Sequence, residues 1–501
     1  MAQVVTYEEF GATGDGVTDD LDAICAAHEH ANARGLRVRS HPQATYHLGR
    51  RALTVKIATD TDWNTSRFTI DDTDVEDHKA SIFEVCSLLD AESVPIDRLR
   101  RDQAQVPVRP RRDCYVAVRN DRVRRYIRRG LNQNRGVPQR DCFVLRQNGS
   151  VEGAIDWNYE TITEIIVRPV DATTLFLRGG VFTTVANSMK QETGYNYWAR
   201  NIRITRSNTE VAGLTHYVVG ETAVGHPYRG FLDIAQCADI TLRDCFVSGH
   251  KTYMTIGSAG KPVSMGTYDL HANEVVNLRL VGCRMNHILD RTRWGVMATN
   301  FCKNILLEEC VLSRMDSHMG VSGSYIIRRS TLGHAGLNAI GRGTLLVENS
   351  TLYGRALVSL RGDYGSTWEG EVAIRNSRWI PACGEPCQPY LIAAVNDGMH
   401  DFGYPCYLPS SVSIDRLFVD DRNHIDGYEG MYLFSDPDGD PARDTELPPP
   451  PERPHALAPC RVVTLGRLTT ASGKRARLSP NEQMRKHTRI IEEGNAKSSD
   501  C

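Results

Sequence analysis

Alternating apolar residues, broken by one small residue, recur along most of this chain. Residues 277–287, 304–314 and 324–334 read NLRLVGCRMNH, NILLEECVLSR and SYIIRRSTLGH. Each runs apolar, gap, apolar, two residues, a small residue, gap, apolar, with Cys283, Cys310 and Ser330 at the small position. Upstream, NIRITRSNTEV and DITLRDCFVSG supply Ser207 and Cys245; downstream, TLLVENSTLYG and EVAIRNSRWIP supply Ser350 and Ser377. Looser copies are Phe68-x-Ile70-x-x-Thr73-x-Val75, Leu175-x-Leu177-x-x-Gly180-x-Phe182, Val412-x-Ile414-x-x-Leu417 and Val463-x-Leu465-x-x-Leu468. Period-two alternation over such short runs predicts strands. From Ser207 to Ser377 the small positions lie 38, 38, 27, 20, 20 and 27 residues apart. That is one unit repeated, with some coils enlarged by loops. A small residue fixed at one place per repeat suits an interior column where like residues stack about 4.8 Å apart, which a β-sandwich does not require. The pattern predicts an all-β chain wound as a right-handed parallel β-helix.

The interruptions divide the chain. Residues 1–75 read as an N-terminal cap and first coils. Residues 76–170 lose the repeat and contain LRRDQAQVPVRPRRD and VRNDRVRRYIRRGLNQNRG, followed by the short strand-like runs DCFVLRQ, GAIDW and TEIIVRPV. They predict an inserted antiparallel flap, whose arginines either form a solvated face or steer an anionic glycan. Residues 171–434 form the body. Residues 435–459 are an acidic, Pro-rich insertion, expected to be extended. Residues 460–501 return once to the repeat and end in a polar tail, expected to be partly disordered from about Ser479.

Composition narrows the classes of partner. Over 501 residues the net charge is −2, so charge alone favours neither nucleic acid nor a membrane surface. No apolar run is long enough to span a bilayer. The opening MAQVVTYEEF has no basic stretch leading into an apolar one, and a cytoplasmic location is the expectation. Several of the 14 cysteines sit at the repeated small positions and act as small hydrophobes, in keeping with a reducing compartment. Cys383-x3-Cys387 with Cys406 has no His to complete a familiar metal spacing; no metal and no cofactor are expected.

The first coil carries a second signal. FGATGDGVTDD, residues 10–20, places Gly11, Gly14 and Gly16 in a tight turn, and Asp19 or Asp20 caps a helix whose apolar side includes Leu21, Ile24 and Ala27 and which ends near Gly35. Such a helix covers the open end of a solenoid. This motif resembles the N-terminal signature of the pectate-lyase-like superfamily, which includes polygalacturonase-related hydrolases of glycoside hydrolase family 28, pectate lyase relatives and phage tailspike depolymerases. The resemblance implies a pectin-lyase-like solenoid that acts on polysaccharide. In that superfamily Asp15, Asp19 and Asp20 look structural. The hydrolase pattern of paired aspartates, Gly-His-Gly and Arg-x-Lys is not reproduced by RMDSHMG and GHAG, so no catalytic residue is carried over. The Asp-rich calcium cluster of pectate lyases is missing too.

Candidate chemistry follows the small residue. Aligned by it, Gly249, His287, Arg314, His334 and Gly354 share one position, and Asp290, Arg293, Asp316, His318 and Asn338 follow closely. Coils in this register would gather them on one face beside Trp294, with Arg361 and Asp363 a strand further on. Asp316 and Asp290 are the candidate carboxylate pair, one protonating the leaving oxygen and one activating water or attacking, with His318 as a third catalytic candidate. Arg314 and His318 beside Asp316 would lower its pKa, which opposes an acid role unless burial or a second carboxylate prevails. Arg293, Arg314, His334, Asn338, Arg361, Asp363 and Trp294 are substrate-binding candidates, the arginines as clamps for a uronate carboxylate. Lys251, Tyr268, Asp269 and His271 come from the long loop and would roof the groove. An ion network closing the turns is the structural alternative.

Three functions fit: a glycoside hydrolase cleaving a poly- or oligosaccharide; a metal-independent polysaccharide lyase with Tyr, Lys or His as base; and a non-catalytic glycan-binding or tailspike-like protein. The partner expected in all three is a saccharide, with no nucleic acid and no membrane, bound by a monomer or a homo-oligomer, with a trimer suited to the third.

Overall fold

The computed structural model describes the chain except residues 1–2, 129–133, 187–195, 223–225, 259, 295–296, 383, 396–401, 438–456 and 494–501. Thirty strands form one continuous parallel sheet wound into a right-handed β-helix. Three faces alternate along the chain. The second half of the strand Leu270–Val281 lies on the first face, Arg284–Met285 on the second, and the start of Met297–Glu308 on the third. Apolar side chains from all three meet inside, among them Leu278, Leu280, Cys283, Met285, Ile305, Leu307 and Cys310, each at most 4 % exposed.

The small residues form a column at the corner between the first and second faces. Strand pairing carries it through Gly180, Leu214, Cys245, Cys283, Cys310, Ser330, Ser350, Ser377, Leu417 and Leu468. The residue before each of nine of them, Gly179, Gly213, Asp244, Gly282, Glu309, Arg329, Asn349, Asn376 and Arg416, has a positive φ of 43–71°. This left-handed step bends the strand and turns the next side chain inward. The hydroxyl of Ser330 accepts from the backbone N–H of Cys310 (3.0 Å), Ser350 from Ser330 (3.1 Å) and Ser377 from Ser350 (3.2 Å). Where the column carries serine, each hydroxyl ties one coil to the next.

Two copies of the motif belong elsewhere. Ile202 and Ile204 lie on the third face and Thr209–Ala212 on the first, so Ser207 occupies a different corner. The coil member before Cys245 is Leu214. Phe68 and Ile70 likewise lie on the second face.

The first end is closed by α1 (Leu21–Arg34), which buries Leu21, Ile24, Ala27 and Ala31 and ends at Gly35, φ 65°. The aspartates of the opening motif are structural. The Asp20 carboxylate accepts from the N–H groups of Thr13 and Gly14, Asp15 from Val17 and Thr18, and Asp19 from Leu21 and Gly49. At the far end the described part of the polar tail, to residue 493, is built into the fold. Helix α2 (Glu482–His487) is capped by Asn481 and buries Met484, and Arg489–Glu492 adds a strand beside Val462–Leu465. The cap and the strand pairing hold these residues in place; the rest of the tail, 494–501, lies outside the described residues.

Between the early coils, Cys114–Arg125, Val137–Leu145, Val151–Glu152 and Glu164–Pro169 build a four-stranded antiparallel flap. Tyr115, Ala117, Cys142 and Val144 pack against Ala238 and Val276 of the helix. Buried Lys303 anchors the flap through Asp141 (2.5 Å) and Asp156 (3.0 Å). Several flap arginines are already engaged: Arg119 with Glu164, Arg125 with Gln139 and over Trp157, and Arg128 with Asp363. Among the described residues no helix is long and apolar enough to cross a membrane.

Candidate functional site

The third face carries a ladder of cross-strand partners more varied than the corner. Pairing runs Lys56, Glu84, Arg203, Asp233, His271, Ala298, Asp316, Asn338, Ser359 and Ala393. Neighbours on such a ladder stand about 4.8 Å apart, so opposite charges and hydrogen-bonding groups meet. The middle of the face opens into a cleft of about 380 Å³ bordered by Tyr197, Arg203, Arg229, Asp233, Tyr268, His271, Asn273, Asn300 and His318.

A hydrogen-bond chain crosses the floor. His271 Nδ1 lies 2.8 Å from Asp233 Oδ1, Asn300 Nδ2 lies 3.2 Å from His271 Nε2, and His318 Nδ1 lies 3.0 Å from Asn300 Oδ1. The carboxylate only accepts, so His271 donates from Nδ1, its Nε2 keeps a lone pair, and Asn300 then accepts from His318. Burial would raise the Asp233 pKa, but His271, Arg203 and Arg229 together pull it below its ordinary value. Burial, aided by the charge of Arg361, pushes His318 down to about 3, so this imidazole is neutral. His318 owes its position to a strand irregularity: Ser317 pairs with Thr299 and Met319 with Asn300, leaving His318 as the extra residue.

Beside this chain stands an ion network. Fully buried Asp316 accepts from Arg314 (2.7 Å) and Arg361 (2.9 Å), and Arg361 also holds Asp363 (2.8 Å). Burial acts to raise the Asp316 pKa, and Arg314, Arg361 and His318 outweigh it. Asp363 is drawn down to about 2, where Arg361 and Arg128 overcome burial. Arg314 lies over the Trp294 ring at 4.7 Å. Burial raises the Tyr268 phenol above its usual range against the nearby guanidinium of Arg314. The Tyr268 and His271 rings are 6.2 Å apart.

The other candidates lie apart from the cleft. Asp290 accepts from Thr292 in its own turn and pairs with Arg293 (3.5 Å), whose guanidinium also reaches the Gly249 carbonyl (2.5 Å). Asp290 is thus held within its own turn, while Asp316 is held by Arg314 and Arg361. The strand register also differs from the sequence alignment. Arg314 pairs with Gly336, not His334, and Asp316 with Asn338. Lys251 is bound to Glu221 through its backbone N–H and its ammonium. His334 donates to the Ile288 carbonyl and Asn338 to that of Ala335 (3.0 Å); both border a neighbouring depression of about 500 Å³. Asp269 is wholly buried under the face, 3.0 Å from His216, and does not roof the groove. Cys383, of the considered Cys383–Cys387–Cys406 set, lies outside the described residues.

Asp233, Asn300, Arg203 and Arg229 were absent from the sequence candidates. A countable signal marks the first. Asp233, His271, Ala298 and Asn338 each lie 12 residues before a small corner residue, Cys245, Cys283, Cys310 and Ser350. In these four coils, counting backward finds the ladder.

No family model matches the chain, and no curated protein does. Solved structures do resemble it. The tailspike gp61 of Pseudomonas phage phi297 superposes with a TM-score of 0.54 at 12% identity, over 98% of this chain and 84% of that one. The Gp54 tailspike of Acinetobacter baumannii bacteriophage AP22, solved in complex with capsular saccharide, gives 0.49 at 9% identity, over 97% and 79%. An exopolygalacturonase from Thermotoga maritima gives 0.39 at 9% identity, over 83% and 87%. At this identity the first likeness shows a shared fold and nothing finer.

Proposed function

We propose that the chain binds a uronate-containing poly- or oligosaccharide in the third-face cleft and cleaves it by β-elimination. The observation that carries this reading is the chain from Asp233 through His271 and Asn300 to His318, with Tyr268 alongside. Oriented by Asp233, His271 Nε2 takes the proton on the carbon next to a uronate carboxylate once the bound substrate draws the Asn300 amide off its lone pair. The Tyr268 hydroxyl is placed to protonate the departing glycosidic oxygen. The C–H bond breaks, its electron pair forms the new double bond, and the C–O bond leaves with the proton from Tyr268. Elimination needs the uronate carboxylate neutralised, and Asn300, Arg203 and Arg229 supply donors and positive charge at the cleft. Hydrolysis by two carboxylates requires one to remain protonated, whereas Asp233 and Asp316 are both held ionised.

The test is a panel of neutral and uronate-containing glycans, read for ultraviolet absorbance of unsaturated uronate and for new reducing ends. Absorbance that disappears in His271→Ala and Tyr268→Phe is expected. Reducing ends without absorbance would replace elimination by hydrolysis. Saturable binding without either product would make the protein a glycan binder.

A further inference from the structure

Behind the cleft, inside the coil, is a second cluster that elimination does not use. His216, His250 and Asp269 each present one ligand-type atom, all within 4.8 Å of one another. Each is at most 1% exposed. We propose that this cluster is a structural binding site for a divalent transition ion of the zinc type, held by two imidazoles and a carboxylate.

Three independent features point to a ligand. The first is the outer shell. His250 Nδ1 lies 3.0 Å from Glu221 Oε1, and His216 Nε2 lies 2.9 Å from Thr184 Oγ1. Each ring thus has an oxygen partner on the nitrogen away from the cluster, the arrangement that fixes and orients metal-bound histidines, and His216 turns its other nitrogen to Asp269. The threonine hydroxyl both donates and accepts, so His216 can switch tautomer and free Nδ1. The second is an orphan. Asp269 Oδ1 is 3.0 Å from His216 Nδ1, yet the buried Oδ2 has no hydrogen-bond partner. Leaving such an atom unsatisfied is costly, and a cation satisfies it. The third is rigidity. The Phe231 ring stacks on His216 at 3.8 Å and the Tyr228 ring on His250 at 4.8 Å, which holds both imidazoles and keeps water away.

Two imidazole nitrogens and a carboxylate suit zinc and its neighbours better than calcium or magnesium, which prefer all-oxygen sets. Coordination through both Asp269 oxygens would supply four donor atoms. Asp269 lies between Tyr268 and His271 in the chain, so the ion would brace the segment that lines the cleft. This inference stands apart from the proposed elimination and survives its failure.

The experiment uses the full chain, stripped with a chelator and dialysed against Zn2+ alone. One tightly bound equivalent is expected, with X-ray absorption fitted by nitrogen and oxygen neighbours at about 2.0–2.1 Å. Glu221→Gln is expected to weaken binding by about 10–100-fold, and His216→Ala by at least as much. No stoichiometric binding would overturn the proposal. So would a fit that needs sulfur at about 2.3 Å, since that places the ion on cysteines, or unchanged affinity in both variants. Should His216→Ala fail to fold, the absorption spectrum of the unaltered protein and the affinity of Glu221→Gln decide.

Discussion

The corner column and the third-face ladder are made by the same coils, yet they differ in every respect except spacing. At the corner, a run of Cys and Ser residues from Cys245 to Ser377 repeats, and each bonds backward to the previous coil. On the third face, Arg203, Asp233, His271, Asp316 and Asn338 are all different and derive their properties from their neighbours. Repetition serves packing, where every coil faces the same problem. Variety serves chemistry, where one coil supplies a carboxylate and the next an imidazole. Mutations should therefore separate the two regions cleanly.

The largest separation is expected from His271→Ala, which should lower turnover about 10²–10⁴-fold while leaving the urea midpoint close to that of the unaltered protein. A large fall in midpoint would make His271 a packing residue and dissolve the contrast. The reverse case is Leu307→Ala, inside the coil. It should cost about 2–5 kcal/mol of stability, measured by urea denaturation, with activity per folded molecule preserved. Ser330→Ala at the corner should cost about 1–3 kcal/mol, because the Cys310 N–H loses its buried acceptor; an unchanged midpoint would show that the column is only space-filling.

The smallest effect is a pH dependence. Burial holds His28, at the capped end, at about 3, below its unfolded value near 6.5. Between those values the unfolded chain binds more protons, so stability is fully present above about pH 6.5 and declines as pH falls toward 3. Each such histidine contributes a slope of at most about 1.4 kcal/mol per pH unit. His318 on the third face has the same sign. Stability measured from pH 7 to 5 should fall less in His28→Gln than in the unaltered chain. Equal slopes would remove His28 from the account.

The same contrast explains what the sequence made legible. The winding and the interior residues were readable because Leu278, Leu280 and Cys283 have counterparts in the next coils. The cleft was harder because its members share a position and not a residue type. His318 is further disguised by the irregularity at Thr299–Asn300. Asp290 looked like a partner for Asp316 on sequence spacing, but the loop after Met285 carries it into a turn of its own. Asp233 lies in an apolar run, FLDIAQCADITL, where nothing nearby announces it; its role appears only when His271 is laid beside it.

The unequal coils have a consequence for how such a chain can change. Cys245 to Cys283 spans 38 residues and Cys310 to Ser330 spans 20, yet both steps advance the stack by one rung. Polymer theory makes the entropy of closing a flexible loop grow only with the logarithm of its length, so a near doubling adds about 0.6 kcal/mol. Insertions between rungs are almost neutral to the scaffold. The excursion that delivers Tyr268 could lengthen, shorten or be exchanged while the ladder beneath it keeps its register, so the walls of the cleft are free to vary far faster than its floor.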